Sequence, residues 1–227
     1  VSAGAPKLAV AVLISGSGTN LQAILDHVAR PAALFDVTVV ASNRADAGGL
    51  ERARCAGVAT VVVDHCAYAC REDFERALHQ ALLPYQPGLV VLAGFMRVLT
   101  AEFVRSFAGR LINIHPSLLP DFKGLHTHQR ALDAGVAEHG ATVHFVVPDL
   151  DAGSAIAQVK VPVYAHDDAQ SLAARVLAQE HLLYPLVIRW FAEHRLALRG
   201  SQVFFDGLPL AAPVSFHALD VRTEPVQ

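Results

Sequence analysis

The sequence predicts an α/β fold: an open, mostly parallel, twisted sheet with helices on both faces and antiparallel additions at one edge. Three observations carry this. As far as Pro120, short apolar runs alternate with segments of helical period about every 25 residues, the pattern of a parallel sheet covered on both sides. A glycine-rich turn, Ser15-Gly-Ser-Gly-Thr-Asn20, directly follows the first run. Beyond Pro120 the pattern changes to a short helix and two strands joined by a turn, as in antiparallel edge additions.

Taken in order, Leu8–Ile14 is a continuous apolar run and reads as a buried strand. Leu21-Gln-Ala-Ile-Leu25 and Val28 behind the glycine turn recur at helical spacing. Strand, glycine turn and helix together can cradle an anion on backbone NH groups at a helix N-terminus. No Gly-Lys-Ser/Thr follows, and Leu21 stands at the third glycine position of a dinucleotide loop, so a single phosphate monoester fits better than a pyrophosphate. A plain tight turn is the alternative. Val37–Ala41 and Thr60–Val63 read as strands, with a helix over Gly49–Ala56 between them. Arg71–Leu83 reads as a helix with Phe74, Leu78 and Leu82 facing inward, and Leu89–Ala93 as another buried strand. Its exit, Gly94-Phe-Met-Arg-Val-Leu99, sets apolar groups around one cation. That suits a pocket wall for a flat aromatic ligand bearing a carboxylate, or equally an ordinary surface loop. A short helix over Ala101–Phe107 leads to the strand Leu111–His115.

That strand ends on Leu111-Ile-Asn-Ile-His-Pro116, with Leu111, Asn113 and His115 on one face. A run this apolar is buried on both faces, so an amide and an imidazole stand where polar groups are expensive. Pro116 stops the strand, leaving the pair at its C-terminal end, where open α/β sheets bind ligands. An amide NH can hold a developing oxyanion, and an imidazole can move a proton near neutral pH. Two core side chains satisfied by the backbone are the alternative. Further on come a helix over His126–Ala134, a strand over Thr142–Val147, the turn Pro148–Gly153 and a strand over Ala155–Val163. Asp151 lies in that turn; if it met His115 it would favour the charged imidazole, and otherwise it is ordinary turn chemistry. The longest helix, Leu172–Phe191, places Glu180 on the face of Leu172, Val176, Leu183 and Val187. A carboxylate there needs a cation, either Arg175 or Arg189 or a substrate ammonium. From Pro209 onward the few periodic apolar residues predict a loosely held tail.

With 53% hydrophobic and 17% charged residues in 227, the chain is globular with a sizeable core. A net charge of −3 and no basic stripe argue against nucleic acid as a partner. No apolar run spans a bilayer, and no charged stretch precedes Leu8–Ile14, so a cytoplasmic protein is expected, with residues 1–6 read as a processed end. Three cysteines make no disulfide framework; His65, Cys66 and Cys70 lack a paired knuckle, and no metal is expected.

Ser15-Gly-Ser-Gly-Thr-Asn20, Gly94-Phe-Met-Arg97, Asn113-Ile-His-Pro-Ser-Leu-Leu-Pro120, Leu125-His-Thr-His128, Leu150-Asp-Ala-Gly153 and Gln179-Glu-His181, in this order, resemble the phosphoribosylglycinamide formyltransferases over about Leu8 to Leu208. The resemblance implies a formyltransferase-like fold with a Rossmann-type N-terminal half. It implies one domain over 7–208, with a phosphate-binding half (7–110) and a catalytic and folate half (111–208) between tails 1–6 and 209–227. It implies transfer of the formyl group of 10-formyltetrahydrofolate, a cosubstrate, to the amino group of 5-phosphoribosylglycinamide, without metal. Asn113, His115 and Asp151 would be catalytic. Gly18, Thr19, Asn20, Gln179 and Glu180 would hold the ribonucleotide. Arg71, Met96, Arg97, Val98 and Leu99 would border the folate. The partners would be small molecules only, and the protein a monomer or weak homodimer.

The family reads Asp-Gly-Gly-Pro where this chain has Asp151-Ala-Gly-Ser154, and a proline at Lys123; it also differs at Asp121. Ala152, less free than glycine at positive φ, could reshape the folate loop, and slower or altered folate binding at most is expected, not lost chemistry. The rival readings are a formyltetrahydrofolate hydrolase, which usually carries an N-terminal regulatory domain, and a non-catalytic nucleotide-binding module.

Overall fold

A computed structural model describes residues 6–218. β1 (Leu8–Ile14) is apolar at all seven positions and takes an interior place in the main sheet. β2 (Phe35–Ser42) and then β3 (Ala59–Val62) run parallel to it on one side. On the other side lie β4 (Leu89–Leu92) and β5 (Leu111–His115), also parallel. β6 (Glu138–Phe145) and β7 (Ala155–Pro162) extend that edge antiparallel, as the change of pattern after Pro120 predicts. β8 (Leu196–Arg199), β9 (Gln202–Phe205) and β10 (Leu208–Pro209) form a separate three-stranded sheet. β11 (Val214–His217) returns to the main sheet, parallel to β7, giving the order β11-β7-β6-β5-β4-β1-β2-β3.

The period of two in β1 divides the core. Val10, Val12 and Ile14 pack beneath α1 (Thr19–Val28), α2 (Gly48–Cys55) and, farther along the same face, α6 (Ala169–Ala192). Ala11 and Leu13 face α3 (Arg71–Leu82) and α4 (Ala101–Ser106). Each face is dry, which is why strands that alternate with helices read as unbroken apolar runs. Asp168 and Ser171 start α6 with a reciprocal capping box, and buried Tyr184 donates to the carbonyls of Leu92 (2.9 Å) and Ile112 (3.2 Å). That bond fixes the long helix against β4 and β5. Strand order reverses between β1 and β4, so the loops leaving their C-terminal ends part there and open a crevice.

Two expectations are corrected. β6 begins at Glu138, not Thr142, and ends at Phe145. Gly140 lies within this strand and must be glycine, because a Cβ there would meet the Val159 carbonyl oxygen of β7 at 1.9 Å. The segment from Pro209 is not loosely held through His217: β11 pairs with β7 and buries Phe216 against Trp190. The hairpin before it has a legible signal, Asp206-Gly207, both at positive φ as a tight two-residue turn needs. The rest of the expected tails, residues 1–5 and 219–227, lie outside the described residues.

Candidate active site

The C-terminal ends of β4 and β5 open into a cavity of about 610 Å³. Its apolar rim is unusually wet: Met96 is 69% exposed and Leu125 71%, with Val98 and Leu150 beside the same opening. Asn113, His115, His144 and Asp151 supply polar atoms at its base. Apolar walls with a few convergent polar groups are what a flat, partly aromatic ligand needs.

The structure brings Asn113, His115 and Asp151 together. Asp151 Oδ2 lies 3.4 Å from His115 Nδ1, both side chains being more than nine-tenths buried. The other ring nitrogen, Nε2, faces the Phe122 carbonyl at 3.0 Å. With an acceptor at each nitrogen, both contacts are donated when the ring carries both protons. Asp151 Oδ2 also accepts from Gly124 NH at 3.0 Å, tying the turn to the loop behind β5. Its backbone sits at φ 48°, a left-handed conformation that aspartate tolerates better than most residues.

His144 is a site residue that sequence reasoning did not single out. It is Cα partner of Asn113 across β5 and β6, and its Nε2 lies 3.3 Å from Asn113 Nδ2. Nδ1 donates to the Phe145 carbonyl at 2.9 Å, which leaves Nε2 as acceptor and turns the Asn113 amide NH₂ toward the site. Burial holds the His144 imidazole below its ordinary range, against the pull of its own Phe145 bond and of Asp151. The signal available in sequence was its place inside the strand read over Thr142–Val147, and it needed the register with β5 to become informative.

On the other side of the crevice Gly18 starts α1 at φ 72° with no side-chain cap, so the first-turn NH groups beside Thr19 and Asn20 remain free to meet an anion. A Cβ on Gly18 would lie 2.6 Å from Gly49 Cα; only glycine lets the two backbones approach this closely. Arg52 Nε donates to the Ser17 carbonyl (2.8 Å), placing a guanidinium beside the turn. Asn20 Nδ2 donates to Glu180 Oε2 at 2.7 Å, joining the glycine turn to α6. Burial pushes the Glu180 carboxyl up, and the Asn20 bond opposes this. Neither internal arginine suggested by sequence is its partner: Arg175 is engaged by Asp167, and Arg189 Nε by Glu193. Asn20 Oδ1, Gln179 Oε1 and His181 Nε2 are buried without a hydrogen-bond partner among the described residues. Polar atoms so placed suit a ligand rich in hydroxyls.

Met96, Arg97, Val98 and Leu99 line the cavity, whereas Arg71 does not. Arg71 is exposed at the start of α3, where its charge acts on Glu75. In this turn positive φ falls on Asp151 and not on Ala152, so the alanine avoids the conformation that glycine takes freely. Gly153 is the glycine the turn requires, since its Cβ would meet the Phe145 carbonyl oxygen at 1.7 Å. Ser154 hydroxyl donates to the Ser201 carbonyl and ties the turn to the small sheet. Elsewhere Asp64, His65 and Cys66 come within 4.8 Å of one another, without Cys70, and His65 Nδ1 is already engaged by the Asn43 carbonyl.

Comparison with known proteins places this geometry. The formyl transferase family model matches residues 8–188. The phosphoribosylglycinamide formyltransferase of Escherichia coli is 52% identical over 198 residues, 87% of this chain and 93% of that protein. The structure of the phosphoribosylglycinamide formyltransferase of Coxiella burnetii superposes with a TM-score of 0.90 at 48% identity, covering 93% of this chain and all of that one. Glycinamide ribonucleotide transformylase 1 of Symbiobacterium toebii superposes at 0.85 with 47% identity, covering 90% and 99%. With a family model over most of its length and relatives this similar end to end, the chain belongs to the formyl transferase family, in its phosphoribosylglycinamide formyltransferase branch.

Proposed function

We propose that the chain transfers the formyl group of 10-formyltetrahydrofolate to the amino group of 5-phosphoribosylglycinamide in de novo purine synthesis. The observation that carries this reading is the meeting of Asn113, His115 and Asp151 at the base of an apolar-walled cavity. The α1 N-terminus at Gly18, Thr19 and Asn20 takes the ribose phosphate, and Glu180 with Gln179 meets the sugar and the amino end. Met96, Arg97, Val98 and Leu99 form the wall for the folate, with Arg71 outside it.

The amine adds to the formyl carbon, and negative charge grows on the formyl oxygen. Asn113, its amide turned by His144, donates to that oxygen. His115 stabilises the same charge and gives a proton to the departing folate nitrogen. Asp151 offers the imidazolium its counter-charge and passes on the proton released by the amine. The residues ask for no metal in any of these steps. We place the enzyme in the cytoplasm, acting on small molecules as a monomer or weak homodimer; no helix among the described residues is long and apolar enough to cross a membrane.

Loss of 10-formyltetrahydrofolate followed by absorbance, with and without glycinamide ribonucleotide, tests this. Turnover that requires the amine supports the transferase. Turnover without it identifies a hydrolase, and none at all a binding module.

A further inference from the structure

The apolar wall of the cavity is a loop that no ladder of the sheet holds. Between Gly94 and Leu99 it keeps Met96 and Val98 in water, although burying them elsewhere would be favourable. Two buried polar clamps secure its ends. At the entry Ser15 NH donates to the Gly94 carbonyl (3.1 Å), Met96 NH to Ser15 Oγ (2.8 Å), and Ser15 Oγ to Asn43 Oδ1 (2.6 Å). At the exit Thr100 NH donates to both carboxylate oxygens of Glu75, at 2.9 and 3.1 Å, and Thr100 Oγ1 donates to Oε2. Thr100 Oγ1 in turn caps α4 by accepting from Phe103 NH. Glu75 is only 3% exposed and projects from the face of α3 that carries Phe74, Leu78 and Leu82. Nothing in the packing of α3 calls for a carboxylate there, and one so placed is costly unless its bonds are needed.

We propose that Glu75 is a positioning residue for the formyl donor: by clamping Thr100 it sets the Met96–Leu99 wall against which the donor's ring system lies. The proposal rests on reading the cavity as the donor site. Glu75 does not itself line the cavity, so any effect on the donor passes through the loop. Burial raises its carboxyl, while the Thr100 donors and the nearby Arg71 charge pull it back toward the ionised form that the clamp uses.

Glu75→Gln and Thr100→Ser test it beside the wild type. Glutamine keeps one acceptor oxygen but turns an NH₂ on the remaining donors, so KM for 10-formyltetrahydrofolate rises about tenfold. Its kcat and its KM for glycinamide ribonucleotide stay within about twofold, as loss of donor positioning alone requires. Thr100→Ser, which keeps both donors, behaves as wild type. Hydrogen exchange speeds up at the amides of residues 96–100 in Glu75→Gln and not at 111–115. An unchanged donor KM in folded Glu75→Gln, or a parallel loss of kcat and both KM values, overturns the proposal. Should Glu75→Gln fail to fold, Glu75→Asp, with its charge kept and its reach shortened, is read by the same constants and the same criteria. A wild type inert toward 10-formyltetrahydrofolate removes the donor reading and this proposal with it; an active wild type with an unaffected Glu75→Gln removes this proposal alone.

Discussion

Asp151 holds its place by contacts from three directions: its own left-handed backbone, the Gly124 NH on Oδ2 and the His115 ring. Asparagine keeps the shape and an acceptor for Gly124 but loses the charge. Asp151→Asn should therefore lower kcat about 10³-fold while the donor KM stays near wild type, a split that steady-state kinetics reads directly. Wild-type turnover in that variant would remove Asp151 from the chemistry. His144 acts one step back, as the acceptor that turns the Asn113 amide. His144→Phe fills the space without the acceptor, and kcat should fall about tenfold, the cost of one misdirected hydrogen bond. Asn113 and His115 were legible as unusual in sequence because their chemistry conflicts with a buried strand. His144 was not, because its meaning lies in a pairing across two strands.

At the scale of elements, the turn behind β1 depends on Gly18 for both its conformation and its clearance from Gly49. Gly18→Ala should cost about 1–2 kcal/mol from the left-handed backbone alone, with more from the clash. Because the turn faces the ribonucleotide, its KM should rise while the donor KM holds; equal changes in both would argue against separate subsites. β11 gives a stability test. Phe216 is 8% exposed against Trp190, and Phe216→Ala should lower stability by about 3 kcal/mol in a denaturant titration. A loss under about 0.5 kcal/mol would return this segment to the status of a surface tail. The shorter helices over the main sheet, α2 to α5, were readable within one residue, since each carries its own period, whereas α6 starts three residues earlier than its apolar period shows, at the Asp168 cap. β11 was not, because a four-residue strand among prolines has too little pattern to stand out from a loop.

Across the whole molecule, a histidine cluster beneath the loop behind β5 ties stability to pH. His139 is 1% exposed, with the rings of His128 and Phe122 at 5.2 and 5.8 Å. Burial first, then charge on His128, lowers its imidazole to about 4. The folded value lies below the unfolded one, so on acidification the unfolded chain takes the proton first. Above about pH 6.5 the ring is neutral in both states and carries no such cost; as pH falls toward 4 the unfolded chain alone is protonated, and stability drops by about 3 kcal/mol. His139→Leu should flatten that part of the stability profile; an unchanged slope would assign the acid sensitivity to other groups. By itself the sequence determined the parallel strands β1 to β5, the helices, the glycine turn and the Asn-x-His strand end, because these follow from local periodicity and from polar groups set where water is excluded. It could not decide what meets across long separations. That Asp151 reaches His115, that Asn20 rather than an arginine bonds Glu180, and that Arg71 stays outside the cavity depend on strand register and on how α6 packs over the sheet. Those contacts join segments far apart in the chain, and a pattern of neighbouring residues carries no record of which distant surface it will meet.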